Sequence, residues 1–95
     1  MTLETSIKKS IKEYLTLMHV DWFYNLQALG SYSGIPDLCF FDSYANKVVF
    51  VEVKTPKGKQ SERQEQFQEM VERNNMIYMV VTDLEDIIKY VTQYN

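Results

Sequence analysis

Gly34-Ile35-Pro36-Asp37-Leu38-Cys39-Phe40-Phe41-Asp42, then Ser43-Tyr44-Ala45-Asn46, then Lys47-Val48-Val49-Phe50-Val51-Glu52-Val53-Lys54, is the stretch whose reading decides the fold. Residues 48–54 are rich in β-branched and aromatic side chains, which favours an extended strand. Successive side chains on a strand face opposite ways, so Val49, Val51 and Val53 share one side while Phe50, Glu52 and Lys54 share the other. An acid and an amine therefore project together from a sheet that is otherwise apolar. Asp37 begins the preceding strand, and a hairpin turning at residues 43–46 would bring it to the same end as Glu52. Two carboxylates beside a cation suit a divalent metal ion acting on a phosphate.

The flanks of this stretch supply its setting. Gly34 permits a positive φ or a close backbone approach, and Pro36 biases Ile35 toward extended geometry, so together they aim Asp37. Gly-x-Pro-Asp is equally good turn chemistry. Residues 30–36 read as a loop and residues 20–26 as a first strand, in which Trp22 suits packing better than stacking on a base. Downstream, Ser61-Glu62-Arg63-Gln64 has the form of a capping box opening a helix whose apolar side holds Phe67, Met70 and Val71. Gln64 sits close to that side, either confined to the cap or serving a site. Met76 to Val81 is a continuous apolar run fitting a buried inner strand. Thr82 or Asp83 caps a last helix with Leu84, Ile87, Ile88 and Val91 on one face, and its acids Asp83, Glu85 and Asp86 complement the helix dipole.

At the other end, Leu3, Ile7, Ile11, Tyr14, Leu15 and Met18 recur at helical spacing over residues 3–18, with Lys8, Lys9, Lys12 and Glu13 directed mostly away. Glu4 falls inside the apolar stripe. A buried acid needs a partner or a metal, whereas a first-turn acid can also remain hydrated at a frayed end. His19 has no partner at ligand spacing and reads as a surface residue.

Ninety-five residues make one domain, spanning 1–95, and a chain this short gains from self-association. The only cysteine, Cys39, excludes an internal disulfide and a cysteine metal cluster, and its apolar neighbours predict a buried, inert thiol. No basic-then-apolar leader opens the chain, and no run reaches the ~20 apolar residues that span a bilayer, so a soluble, cytoplasmic protein is expected. A net charge of −3 argues against a general DNA-coating protein. Lys54, Lys57, Lys59 and Arg63 nevertheless stand against Glu62 alone in residues 54–63. This basic strip either guides a polyanion toward the acids or is a solvated loop.

The set Gly34-x-Pro36-Asp37-Leu38, Glu52-x-Lys54 and Gln64 resembles the VRR-NUC branch of the PD-(D/E)xK nucleases, over the chain from the first helix to about Val81. A bare Asp…Glu-x-Lys arises often by chance; the Gly-x-Pro prefix and the later Gln make the set more specific. The chain departs from the family pattern at Thr55-Pro56 and at Gln60, where an apolar residue is common. The resemblance implies an α/β, restriction-endonuclease-like core, a mixed central sheet flanked by helices in the order αβββαβα. It also implies phosphodiester hydrolysis dependent on Mg²⁺ or Mn²⁺. Asp37, Glu52 and the Val53 backbone carbonyl would hold the ion, and Lys54 would serve the attacking water. Glu4 would complete the shell, with Glu13 as the alternative helix acid, and Gln64 would position Lys54 or the phosphate. Lys57, Lys59 and Arg63 would contact the DNA backbone. Small stand-alone members look like dimeric resolvases of four-way (Holliday) junctions, often phage-borne, so branched DNA and a homodimer are expected. Two rival classes are a DNA-binding accessory module without turnover and a small interaction protein in which Glu52 and Lys54 merely pair. A repair or restriction-like nuclease is the alternative within the enzyme class.

Overall fold

The computed structural model describes residues 2–25 and 34–93. Its elements run α1 (Leu3–Leu17), β1 (Trp22–Tyr24), β2 (Leu38–Asp42), β3 (Lys47–Val53), α2 (Glu62–Arg73), β4 (Ile77–Val81) and α3 (Leu84–Thr92). The order αβββαβα is the expected one. The strands form one mixed sheet in the order β1-β2-β3-β4. β1 pairs with β2 and β2 with β3 antiparallel, whereas β3 and β4 are parallel.

The hairpin forms where the turn chemistry places it. Asp42 pairs with Lys47, and Asn46 takes the positive φ of 55° that lets four residues reverse the chain. Asp42 is buried at this end, accepting from Ala45 N at 3.0 Å and from the Tyr90 hydroxyl at 2.5 Å.

Alternation assigns the two faces. Leu38, Phe40, Val49, Val51, Val53 and Val81 meet Ile7, Ile11 and Leu15 of α1 and Ile87 of α3. On the other face Phe67 and Val71 of α2 pack with Tyr78 and Phe50. Each helix begins with a satisfied cap: Thr2 on α1, and capping boxes Ser61/Gln64 on α2 and Asp83/Asp86 on α3. Asp83 rather than Thr82 is the last cap, and the Asp83 and Asp86 carboxylates accept from backbone N–H groups as the dipole reading predicts.

Two expectations need correction. β4 is an edge strand, not an inner one, and Val80 is 45% exposed. The rest of its apolar run arises because helices cover both faces, Ile77, Met79 and Val81 on one and Met76 and Tyr78 on the other, which demands apolar residues whether or not a second strand lies alongside. β1 covers only Trp22–Tyr24 of the stretch 20–26, with Leu26 outside the described residues, as are positions 30–33 of the loop. Trp22 packs against the core and donates from Nε1 to Thr16 Oγ1 at 2.8 Å, a packing role as expected. His19 is exposed, and Cys39 is fully buried.

Candidate active site

Register carries Asp37 to Glu52. Leu38 pairs with Val51, so one step further along the antiparallel ladder Asp37 lies across from Glu52, on the same face. The approach to Asp37 is fixed from three sides. Asn25 N donates to the Asp37 carbonyl at 2.8 Å, and the Asn25 side chain donates to the Pro36 carbonyl at 2.9 Å. Gly34 has φ +83° and lies against the first turn of α2, so close that an added Cβ would stand 2.5 Å from the Arg63 carbonyl carbon. The glycine is thus required both by its backbone angle and by the space around it.

A cleft of about 420 Å³ opens at this end of the sheet. Asp37, Glu52, Val53, Lys54 and Gln64 line it, together with Glu4 and Arg63. The structure therefore gathers residues that the sequence scatters from position 4 to position 64. Glu4 reaches the cleft and Glu13 does not. Lys57 and Lys59 stand exposed in the turn between β3 and α2, outside the lining.

Gln64 does serve the cap: its Oε1 accepts from Ser61 N at 2.9 Å, while its own N donates to Ser61 Oγ at 3.2 Å. It lines the cleft as well, so the two roles considered for it are compatible.

Glu52 is 4% exposed. Its Oε1 accepts from the Tyr78 hydroxyl, and its Oε2 is buried without a hydrogen-bond partner. An unpaired buried carboxylate oxygen is costly, and a cation at that oxygen would offset the cost. The Tyr78 phenol is held far above its usual pKa, first by burial and then by the adjacent Glu52, so it remains a donor. Among the described residues no three Asp, Glu, His or Cys side chains converge closely enough to hold a metal by themselves. Glu4 thus shares the cleft without joining Asp37 and Glu52 in a three-carboxylate group. Asp37, Glu52 and Val53 all line the cleft, and carboxylate and carbonyl oxygens are the donor type that a hard cation takes.

Lys8 and Tyr78 were not anticipated. Lys8 was expected to point away, yet its Nζ donates to Asp37 Oδ2. A helical angle locates Cβ, and the four-carbon stem of lysine then carries the ammonium well beyond it. The available signal was spacing: Lys8 follows Glu4 by one helical turn. For Tyr78 the signal was its phenol within an apolar strand, since a buried tyrosine hydroxyl usually has a partner.

Residues 3–83 match the model of the VRR-NUC domain family. A solved VRR_NUC domain superposes with a TM-score of 0.79 at 22% identity, covering 100% of this chain and 100% of its own. A solved VRR_NUC domain protein gives 0.76 at 15% identity, covering 99% of this chain and 88% of its own. Both likenesses are of fold, and no curated protein matches. With the family model spanning residues 3–83 and the same sheet and helices in both relatives, the chain belongs to the VRR-NUC domain family, a family of nuclease domains.

Proposed function

We propose that the protein is an endodeoxyribonuclease dependent on Mg²⁺ or Mn²⁺, selective for branched DNA and acting on four-way junctions as a homodimer. The observation that carries the metal dependence is the buried, unpartnered Glu52 Oε2 across from Asp37 at the end of the hairpin. Asp37, Glu52 and the Val53 carbonyl would hold the ion, and Glu4, which lines the same cleft without converging on the two acids, would complete the shell only by moving toward them. When bound, such an ion supplies Lewis acidity and makes hydroxide available near neutral pH.

The chain's own residues supply the rest. Lys54 directs the attacking water and offsets negative charge developing on the phosphoryl oxygens. Arg63 at the cleft, with Lys57 and Lys59 on the adjoining turn, takes the phosphate backbone, a contact that positions DNA without reading its sequence. Gln64 orients the lysine or the phosphate from the first turn of α2. A two-fold dimer would place two such clefts on one junction and give paired cuts.

The test is cleavage of four-way junction, flap and linear duplex by the purified chain, with Mg²⁺ and with EDTA. Symmetric nicking of the junction is expected, abolished by EDTA and by Asp37→Ala, with Lys54→Ala binding the junction uncut. Equal cutting of all three substrates removes junction selectivity. Binding without cleavage by the wild type supports an accessory module instead.

A further inference from the structure

Glu52 is tied into a chain of polar contacts that crosses the α2 face of the sheet. Gln60 Nε2 donates to Gln68 Oε1 at 3.0 Å. Tyr78 donates its phenol proton to Glu52 Oε1, and the Gln60 side chain acts on the same phenol, offsetting a small part of the rise that burial and Glu52 impose on its pKa. Parallel pairing of Phe50 with Tyr78 and of Glu52 with Val80 sets the phenol on the same face as the carboxylate, one step back along the sheet. Tyr78 is 9% exposed and Glu52 4%, so water competes little for these bonds. A carboxylate oxygen can only accept, so the phenol proton lies toward Glu52.

We infer that Tyr78, itself set by Gln60, is a positioning residue that leaves Glu52 one oxygen for a metal and thereby favours Mg²⁺ and Mn²⁺ over Ca²⁺. Calcium takes six to eight oxygen ligands and often grips a carboxylate through both oxygens; magnesium keeps a tight octahedral shell satisfied by one. With Oε1 held by the phenol, Oε2 alone is left without a partner, which suits the smaller ion. This rests on the proposed metal site and specifies how that site selects its cation.

The experiment is titration calorimetry of the intact chain without DNA, using MnCl₂, MgCl₂ and CaCl₂. Wild type, Tyr78→Phe and Gln60→Leu are compared, with folding of each checked by circular dichroism. Wild type is expected to bind Mn²⁺ more tightly than Ca²⁺. Tyr78→Phe is expected to shift the ratio of the two dissociation constants toward Ca²⁺ by about tenfold, as one carboxylate hydrogen bond is worth. Gln60→Leu should move it the same way by a smaller factor. A folded Tyr78→Phe with the wild-type ratio overturns the inference and leaves the metal site standing. Should that variant not fold, an unchanged ratio in Gln60→Leu overturns it. Failure of wild type to bind any of the three cations overturns both.

Discussion

Gly34→Ala tests whether the loop before Asp37 is held by backbone contact alone. At φ +83° an L-residue meets a conformational cost of about 1–2 kcal/mol. The new Cβ would also lie 2.5 Å from the Arg63 carbonyl carbon and 2.9 Å from Gln64 N, against the ~3.5 Å at which such atoms rest comfortably. These neighbours are main chain, so no rotamer change relieves them, and the loop must back away from α2. Together the two terms predict a loss of about 2–4 kcal/mol. For a domain of this size that lowers the melting temperature by roughly 10–20 °C. Gly58→Ala is the internal control. Its Cβ would meet Thr55 Oγ1 at 3.2 Å and the Thr55 carbonyl at 3.3 Å, with no positive φ to defend. A cost below about 1 kcal/mol is expected there. Thermal melts by circular dichroism, paired with cleavage rates below each variant's transition, give the readout. Gly34→Ala should lose more activity than its residual folded fraction explains, since Asp37 moves with the loop. A melting temperature within 2–3 °C of wild type, about 0.5 kcal/mol, refutes the argument.

Three further outcomes are expected. Lys8→Met removes the cation now on Asp37 and should tighten Mn²⁺ binding by about threefold or more in calorimetry, with under ~1 kcal/mol change in stability because the pair is partly solvated; unchanged affinity would show that Lys8 does not compete with the metal. Tyr90→Phe deletes a donor to the buried Asp42 and should cost about 1.5–3 kcal/mol in denaturant unfolding. Its cleavage rate should match wild type, since Asp42 sits at the opposite end of β2 from Asp37. The third concerns alkaline pH: burial, partly offset by the Asn25 hydrogen bond, pushes the Cys39 thiol from its ordinary 9.0 up to about 11. The folded thiol keeps its proton after the unfolded one has lost it, so this contribution to stability is complete below about pH 9 and is lost as pH rises through about 11. Melting temperatures measured across that window should fall less steeply for Cys39→Ala than for wild type.

The hairpin was legible because Val49, Val51 and Val53 alternate with Phe50 and Glu52, and a two-residue period leaves one way to bury the valines. The caps at Ser61 and Asp83 were legible for the same reason, a local rule acting on adjacent residues. From these, the meeting of Asp37 with Glu52 followed by counting along the register. β4 was misplaced because an apolar run reports how many faces are covered and says nothing of how many strands lie alongside. Lys8 was missed because helical projection ends at Cβ. Tyr78 was missed because its partner lies 26 residues away, across a parallel pairing that local pattern cannot specify.

Parallel pairing of β3 with β4 also sets the order in which the chain can acquire its chemistry. β2 and β3 close through residues 43–46, a short loop with little entropy to lose. β4 returns only after residues 54–76 have traversed α2, a later and slower closure. Contact order therefore predicts that the hairpin carrying Asp37 and Glu52 forms ahead of the β4 pairing that brings Tyr78 to Glu52. The hydrogen bond on Glu52 Oε1 is on this argument among the last contacts the domain makes.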